Sequence, residues 1–192
     1  MTALSLPNIL TYGRILAVPV VVACFALPDM PTPTSRWIAL AVFAAAAVTD
    51  FFDGWLARAW GQQSSLGRML DPIADKLLVA SCLLILVDVR TIAGWTVIAA
   101  VIILCREILV SGLREFLAEL RVSVPVTWLA KWKTTAQLVS LGFLIVGEAG
   151  NSVYPWTLQT GNALLWVSAL LTLYTGWDYF RSGIVHLMDD KK

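Results

Sequence analysis

Four aspartates lie close together in the chain, and their spacing follows helical periodicity. Asp50 and Asp53 are three residues apart, and Asp71 and Asp75 are four residues apart. These spacings place each pair on one face of a helix. Two such helices packed against each other would bring the four carboxylates together across a short polar stretch, residues 59–66.

Carboxylates crowded in this way repel one another unless cations lie among them. Clustered oxygen ligands suit Mg²⁺, Mn²⁺ or Ca²⁺, and the lack of a neighbouring His or Cys disfavours zinc. Two divalent ions held by shared carboxylates form a site for phosphoryl transfer, and Arg58 could hold the phosphate or base of a nucleotide. Two other interpretations stay open at this point: a proton or sodium relay in a small transporter, and structural ion pairs with Arg58 or Lys76.

The composition indicates that the helices carrying these residues lie in lipid. Of the 192 residues, 58% are apolar and 14% are charged, and the mean hydropathy is +0.76. A fold of this size keeps a large surface, so a water-soluble core could not hide so many apolar residues. The net charge of +1 gives no sign of nucleic-acid binding. The three cysteines all lie in apolar runs, which argues against a disulfide framework and against a zinc site.

Six stretches are apolar enough to form transmembrane helices. They cover residues 9–27, 37–52, 71–87, 95–110, 134–146 and 156–180, and the fifth is expected to begin around Trp128. Pro72 fits this pattern if the third helix starts near residues 68–71, because proline is tolerated in a first turn. We therefore predict an all-α polytopic membrane protein with six transmembrane helices, forming a single domain over residues 1–192.

The basic residues predict the orientation of these spans. With both termini in the cytoplasm, 12 of the 14 Lys and Arg residues fall on the inner side, and only Arg36 and Arg90 fall outside. Such an asymmetry sets the topology of membrane proteins. Trp37, Trp95 and Trp156 then each open a span on the outer side, as an aromatic belt would. The four aspartates fall at inner ends, so we expect an active site on the cytoplasmic side.

Residues 50–75 resemble the signature of the CDP-alcohol phosphatidyltransferases, D-x2-D-G-x2-A-R-x8-G-x3-D-x3-D. All eight specified positions are met, at Asp50, Asp53, Gly54, Ala57, Arg58, Gly67, Asp71 and Asp75. Three further segments are similar to the bacterial phosphatidylglycerophosphate synthases of this family: residues 6–14 (LPNILTYGR), 106–115 (REILVSGLRE) and 131–134 (KWKT). The resemblance thus covers roughly residues 6–137.

This resemblance implies a six-helix enzyme of the bacterial inner membrane, usually a homodimer, that uses two divalent ions, Mg²⁺ or Mn²⁺. Carried over to this chain, Asp50, Asp53 and Asp71 are metal ligands, and Asp75 is a further ligand and the general base. The pocket for cytidine diphosphate would be lined by Asp50, Gly54, Arg58 and Gly67. The implied reaction transfers a phosphatidyl group from CDP-diacylglycerol to sn-glycerol 3-phosphate and releases phosphatidylglycerophosphate and CMP.

Glycerol 3-phosphate is a dianion, so its binding site should be basic. Arg106 and Arg114 are eight residues apart and share a face if the helix continues between them. Arg106 also ends an apolar run, where a charge is costly. Lys131 and Lys133 are further candidates, and we expect Glu107 to pair with one of these cations. The bias of basic residues toward the inner side would by itself also put them there.

Two competing functions remain at this stage. Within the same family the acceptor could instead be inositol, inositol phosphate or serine. In another class, the aspartates could serve a small ion-coupled transporter. A transporter predicts inverted repeats and helices broken in mid-membrane, and the sequence shows neither. Its acids also fall at one edge of the membrane, which favours the enzyme.

Overall fold

The computed structural model describes residues 6–27, 32–60, 65–119 and 128–189, and most of these residues are helical. These described residues form six α-helices: α1 Leu6–Ala26, α2 Pro33–Trp60, α3 Ser65–Asp88, α4 Thr96–Glu119, α5 Trp128–Val146 and α6 Thr157–Asp189. A short 3₁₀ helix, Gly147–Ser152, follows α5 directly. The described residues contain no strand, which confirms the predicted all-α class.

Each of the six helices contains its predicted apolar span to within one residue at either end, and α5 begins at Trp128 as expected. Three helices continue well past their apolar runs: α2 ends at Trp60, α4 at Glu119 and α6 at Asp189. An apolar run marks only the part of a helix that suits lipid. The backbone hydrogen bonds continue beyond it, because adding a residue to an existing helix needs no new nucleus.

Two helical segments are long and apolar enough to cross a membrane by length and composition, Asn8–Ala26 and Thr96–Ala118, with mean hydropathies of 2.0 and 2.1. A shorter apolar segment is Pro33–Thr49. In the most apolar stretch of each long segment, only 28% and 22% of the residues, respectively, are buried. Most of their apolar side chains therefore face outward, which favours a lipid environment over the interior of a water-soluble domain.

The contacts within the chain group it into two compact units, and the first comprises Met1–Ile92 and Leu141–Gly161. Its first helix, α1, packs against both α2 and α3. Arg36, in the first turn of α2, lies over the ring of Phe25 near the end of α1, at 5.3 Å. Arg36 Nη2 also donates a hydrogen bond of 2.9 Å to Thr91 Oγ1, just after α3. The start of α2 therefore meets the ends of α1 and α3, so α2 runs antiparallel to both.

The position of Pro72 corrects one expectation. The helix α3 begins at Ser65, so Pro72 lies in its second turn and the prediction of a first-turn proline was wrong. Proline has no N–H group to bond the carbonyl of residue 68. Contacts with the rest of the first unit stabilise the extra turn: Gly67 is buried, and α1 bonds to Asp71, the residue before the proline.

The second unit comprises Ala93–Ser140 and Asn162–Lys192. Along α4, the side chains of Ile103, Val110 and Leu117 are buried at a seven-residue spacing, which defines one face of the helix. The buried face of α6 consists largely of small side chains, namely Ser168, Ala169, Thr172 and Thr175. Small residues let neighbouring helices approach closely, and α4 does reach α6 here through Arg106.

Candidate active site

Two of the four aspartates have described side chains, and both lie in the first half of α3. Asp71 is partly buried and Asp75 is exposed, and they stand one turn apart on the same face of the helix. Gly67, one turn before Asp71, is buried. Because α2 and α3 are antiparallel, the segment of α2 that carries the other signature residues lies at the same end of the first unit. The side chains of those residues, Asp50, Asp53, Gly54 and Arg58, lie outside the described part of the structure.

A polar face of α1 contacts both described aspartates. Thr11 Oγ1 donates a hydrogen bond to Asp71 Oδ1. One turn further along α1, Arg14 Nη1 donates a hydrogen bond of 2.7 Å to Asp75 Oδ1. The side chain of Arg14 is 1% exposed, whereas that of Asp75 is 51% exposed. The ion pair therefore joins a buried cation to a carboxylate that still faces outward.

The contact with Arg14 holds the Asp75 carboxylate at a defined position. One of its oxygens accepts the bond from Arg14, and the exposure of the side chain leaves the carboxylate accessible to a substrate. Such an arrangement suits a group that must accept a proton at a defined position.

Sequence reasoning did not identify Thr11 and Arg14 as site residues. Three polar residues in the first half of α1, Asn8, Thr11 and Arg14, recur every three positions and are all buried. Polar side chains at that spacing inside an apolar span could have indicated this face of α1, because such residues face another part of the protein and not lipid. One interpretation of the sequence was that the aspartates form structural ion pairs with Arg58 or Lys76. The structure shows an ion pair of Asp75 with Arg14.

The chemistry of the donor set fits a hard divalent cation. Both described members offer carboxylate oxygens, and the two remaining signature aspartates would add more of the same kind. Oxygen donors of this sort suit Mg²⁺ and Mn²⁺. Among the described side chains no three His, Cys, Asp or Glu residues come together, and Asp50 and Asp53 are not part of that set.

A second polar cluster lies in the second unit and contains three of the four predicted acceptor residues. Glu107 accepts a hydrogen bond from Lys133 Nζ, and its carboxylate lies 3.7 Å from Arg106 Nη1. The predicted pairing of Glu107 with a neighbouring cation is thus confirmed. Arg114 Nη2 donates a 3.2 Å bond to the hydroxyl of Tyr179, and its guanidinium lies 5.4 Å from the centre of that ring. The cluster keeps an excess of positive charge, because Glu107 lies against two cations, Arg106 and Lys133, and Arg114 adds a third near Arg106.

Arg106 is held against α6 by two further bonds. Its Nε donates to the carbonyl of Thr172 at 3.2 Å, and its Nη2 donates to Thr175 Oγ1 at 3.0 Å. Gly176 makes room for the side chain, since a Cβ atom there would lie 3.1 Å from Arg106 Cγ. The helix is continuous between Arg106 and Arg114, as their predicted common face requires. The fourth predicted residue, Lys131, is exposed, and only its backbone carbonyl takes part in the described contacts, with Thr135.

Comparison with known proteins places these residues in a family. The family described as CDP-alcohol phosphatidyltransferase matches residues 4–174. Three bacterial relatives are named CDP-diacylglycerol–glycerol-3-phosphate 3-phosphatidyltransferase. The one from Cereibacter sphaeroides is 41% identical, with 97% of this chain and 99% of its own covered. The one from Rickettsia bellii is 44% identical, covering 93% and 94%, and the one from Escherichia coli K12 is 40% identical, covering 96% and 98%. With the complete signature at residues 50–75, this chain belongs to the CDP-alcohol phosphatidyltransferase family.

Proposed function

We propose that the chain transfers the phosphatidyl group of CDP-diacylglycerol to sn-glycerol 3-phosphate, giving phosphatidylglycerophosphate and CMP. The observation that carries this proposal is the identity of 40% to the enzyme of that name from Escherichia coli, over 96% of this chain. Identity over nearly the whole length includes the acceptor side of the protein and not the signature alone. It therefore favours glycerol 3-phosphate over inositol, inositol phosphate or serine, and an enzyme over an ion-coupled transporter.

The four signature aspartates, Asp50, Asp53, Asp71 and Asp75, would hold two divalent cations, Mg²⁺ or Mn²⁺. When bound, such ions neutralise the diphosphate and stabilise the departing CMP. Thr11 orients Asp71 through its hydroxyl, and Arg14 orients Asp75 in the same way. Gly54, Arg58 and Gly67 line the pocket for the cytidine diphosphate. A guanidinium such as that of Arg58 suits this task because its planar donors match a phosphate.

Asp75 acts as the general base. It takes the proton of the 1-hydroxyl of glycerol 3-phosphate while that oxygen forms a bond to the phosphorus carrying diacylglycerol. The bond from this phosphorus to the oxygen of CMP breaks, and CMP leaves with the electron pair. The carboxylate suits this role because Arg14 holds one of its oxygens and the side chain is half exposed.

The cationic cluster of the second unit binds the phosphate of the acceptor. Arg106 and Arg114 supply guanidinium groups, which grip a phosphate through two parallel bonds. Lys133 is 5% exposed and bonded to Glu107, so it chiefly adds positive charge behind the arginines. Lys131 is exposed and provides a further cation on the same helix.

The six helices span the bacterial inner membrane with both termini in the cytoplasm, and the chain forms a homodimer. The asymmetry of 12 inner to 2 outer basic residues supports this orientation. It places the aspartates in the leaflet that faces the soluble acceptor. The lipid substrate reaches the same site from within the bilayer.

An acceptor panel tests the proposal. The purified full chain is incubated with CDP-diacylglycerol and Mg²⁺ and, in turn, with glycerol 3-phosphate, inositol phosphate, inositol and serine. We expect release of CMP and formation of phosphatidylglycerophosphate with glycerol 3-phosphate alone, and no release by Asp71→Asn. Preference for another acceptor would overturn the choice of substrate, and absence of CMP release with every acceptor would overturn the enzyme itself.

A further inference from the structure

A cleft of about 390 Å³ lies in the first unit, at the end opposite to the aspartates. It is formed where α2 starts, where the chain leaves α3 and where the 3₁₀ helix follows α5. Its polar lining consists of Arg36, Arg90, Thr91 and Glu148. Its volume is within the range of pockets that bind small ligands, roughly 300–1,000 Å³. The proposed reaction uses none of these residues.

Arg36 brings a partly buried positive charge to this cleft. It donates one bond to the carbonyl of Ile145 at 3.1 Å and one to Thr91. A guanidinium has five N–H donors, so these two bonds leave donors for a ligand. None of the ion pairs among the described residues neutralises Arg36. Glu148, in the lining of the same cleft, acts on the charge of Arg36, yet a partly desolvated cation with donors to spare still attracts an anion.

The backbone is shaped around this guanidinium. Gly147 has a φ of +52°, and a Cβ atom there would lie 2.5 Å from Arg36 Nη1. Glycine is favoured here by the left-handed backbone, and it leaves room for the end of the Arg36 side chain. The two hydrogen bonds of Arg36 hold the guanidinium in place before any ligand arrives, which lowers the entropic cost of binding.

The second cation, Arg90, also lines the cleft and is exposed. Its φ of +56° is the one positive value among the described residues other than glycine. A residue with a side chain costs energy in this conformation, and glycine would adopt it freely. Arg36 and Arg90 are also the two basic residues that the predicted topology leaves outside, and both line one cleft. Glu148 adds an acceptor beside them.

In the proposed topology, the cleft falls at the depth of lipid headgroups. Roughly 20 Å of helix separates Asp75 from Asp88 at the end of α3, which is most of the ~30 Å hydrocarbon thickness of a bilayer. Exposed aromatic side chains of the first unit surround the same end, at Trp37, Tyr154 and Trp156. Aromatic residues of this kind mark the interface between membrane and water. The anion available at that depth is the phosphodiester of a phospholipid.

We propose that this cleft binds a phospholipid from the leaflet opposite to the catalytic one. Arg36 and Arg90 hold the phosphodiester, and Glu148 accepts a hydrogen bond from a hydroxyl or ammonium group of the headgroup. The acyl chains lie along the outward apolar surface of the helices. The site is separate from the proposed substrate pocket.

Binding of short-chain lipids to the purified full chain in maltoside detergent tests this site. The probes are dioctanoyl-phosphatidylglycerol, dioctanoyl-phosphatidylethanolamine and inorganic phosphate. The variants are Arg90→Gln and Arg90→Gly, with Arg181→Gln as the control for loss of one exposed arginine. We expect at least one of the two lipids to bind saturably, and both Arg90 variants to weaken that binding about 10-fold or more. Arg181→Gln should leave it unchanged.

Arg90→Gly separates binding from folding. Glycine relieves the left-handed backbone at this position, so the unfolding temperature of the variant should equal or exceed that of the wild type while lipid binding falls. The lipid must also still bind to Asp71→Asn, which is altered at the catalytic end. The proposal is overturned if both Arg90 variants bind the lipids normally, if Asp71→Asn abolishes the binding, or if inorganic phosphate binds as tightly as the lipids.

Discussion

Replacing Arg14 by methionine should impair catalysis without impairing the fold. Methionine fills much of the buried volume of the arginine side chain but has no charge and no donor. Arg14 is 1% exposed, so its removal also takes a costly charge out of the protein interior. Its partner Asp75 is 51% exposed and can be hydrated instead. We therefore expect the free energy of unfolding to change by no more than about 1 kcal/mol.

The expected catalytic loss follows from the same contact. Arg14 fixes one oxygen of the proposed general base with a charge-assisted bond of 2.7 Å. A bond of this type contributes about 1.5–3 kcal/mol, and the exposure of Asp75 puts the value toward the lower part of that range. If the alignment is used fully in the transition state, kcat falls about 10- to 150-fold. Binding of the two substrates does not depend on this bond, so both KM values should change by less than about threefold.

The assay follows CMP release at saturating Mg²⁺ with each substrate varied in turn, and thermal unfolding of the same preparations is recorded. Arg14→Lys should recover part of the lost kcat, because it keeps the charge but not the planar donors. Arg181→Met, at an exposed position on α6, is the control for replacing an arginine by methionine. If Arg14→Met kept the wild-type kcat, or lost activity only in proportion to unfolded protein, Arg14 would have no part in positioning Asp75.

Three further predictions concern the rest of the site and the topology. Asn in place of Asp50, Asp53 or Asp71, one at a time, should abolish turnover while the protein still folds, because each change removes a charge that a hard cation needs. Near-normal activity of one variant at saturating metal would show that its aspartate is not a metal ligand. Arg106→Ala and Arg114→Ala should lower kcat/KM for glycerol 3-phosphate by ~30- to 1,000-fold, and lysine at either position should lower it almost as much. The kinetics for CDP-diacylglycerol should barely change. Unchanged kinetics for glycerol 3-phosphate would show that its phosphate binds elsewhere. Single cysteines at positions 62 and 120, in a background without the native cysteines, should resist a membrane-impermeant reagent in intact cells, and labelling from outside would reverse the orientation.

The helices could be predicted from the sequence because lipid imposes one simple requirement, a run of apolar residues. Where the chain leaves lipid that requirement ends, so the apolar run of α4 stops near Val110 while the helix continues to Glu119. Pro72 misled the prediction for a related reason. Proline is disfavoured inside an isolated helix, but contacts between α1 and α3 stabilise the turn that precedes it.

In the candidate site, too, some features could be predicted from the sequence and others could not. The aspartates could be identified because helical periodicity and a local signature act over 26 residues of chain. The pairing of Arg14 with Asp75 joins residues 61 positions apart, and periodicity carries no information about which helices are neighbours. From the sequence, the nearby charges of Arg58 and Lys76 are therefore the partners that a structural role would predict. The bond between Lys133 and Glu107 could be anticipated as a type of contact, because an acid lay among basic residues, but the choice of lysine required the structure.

The ion pair between α1 and α3 also bears on how the protein is made. The helix α1 is synthesised first, and the partner of its Arg14, Asp75, is synthesised 61 residues later. Arg14 lies in the first half of α1, so its insertion costs less than the ~2.5–3.5 kcal/mol of an arginine at the centre of a span, and the mean hydropathy of 2.0 in Asn8–Ala26 helps to offset that cost. We therefore expect the arrival of α3 to complete the integration of α1. Chains arrested before α3 should be released from the membrane, or degraded, more readily than the same chains carrying Arg14→Met.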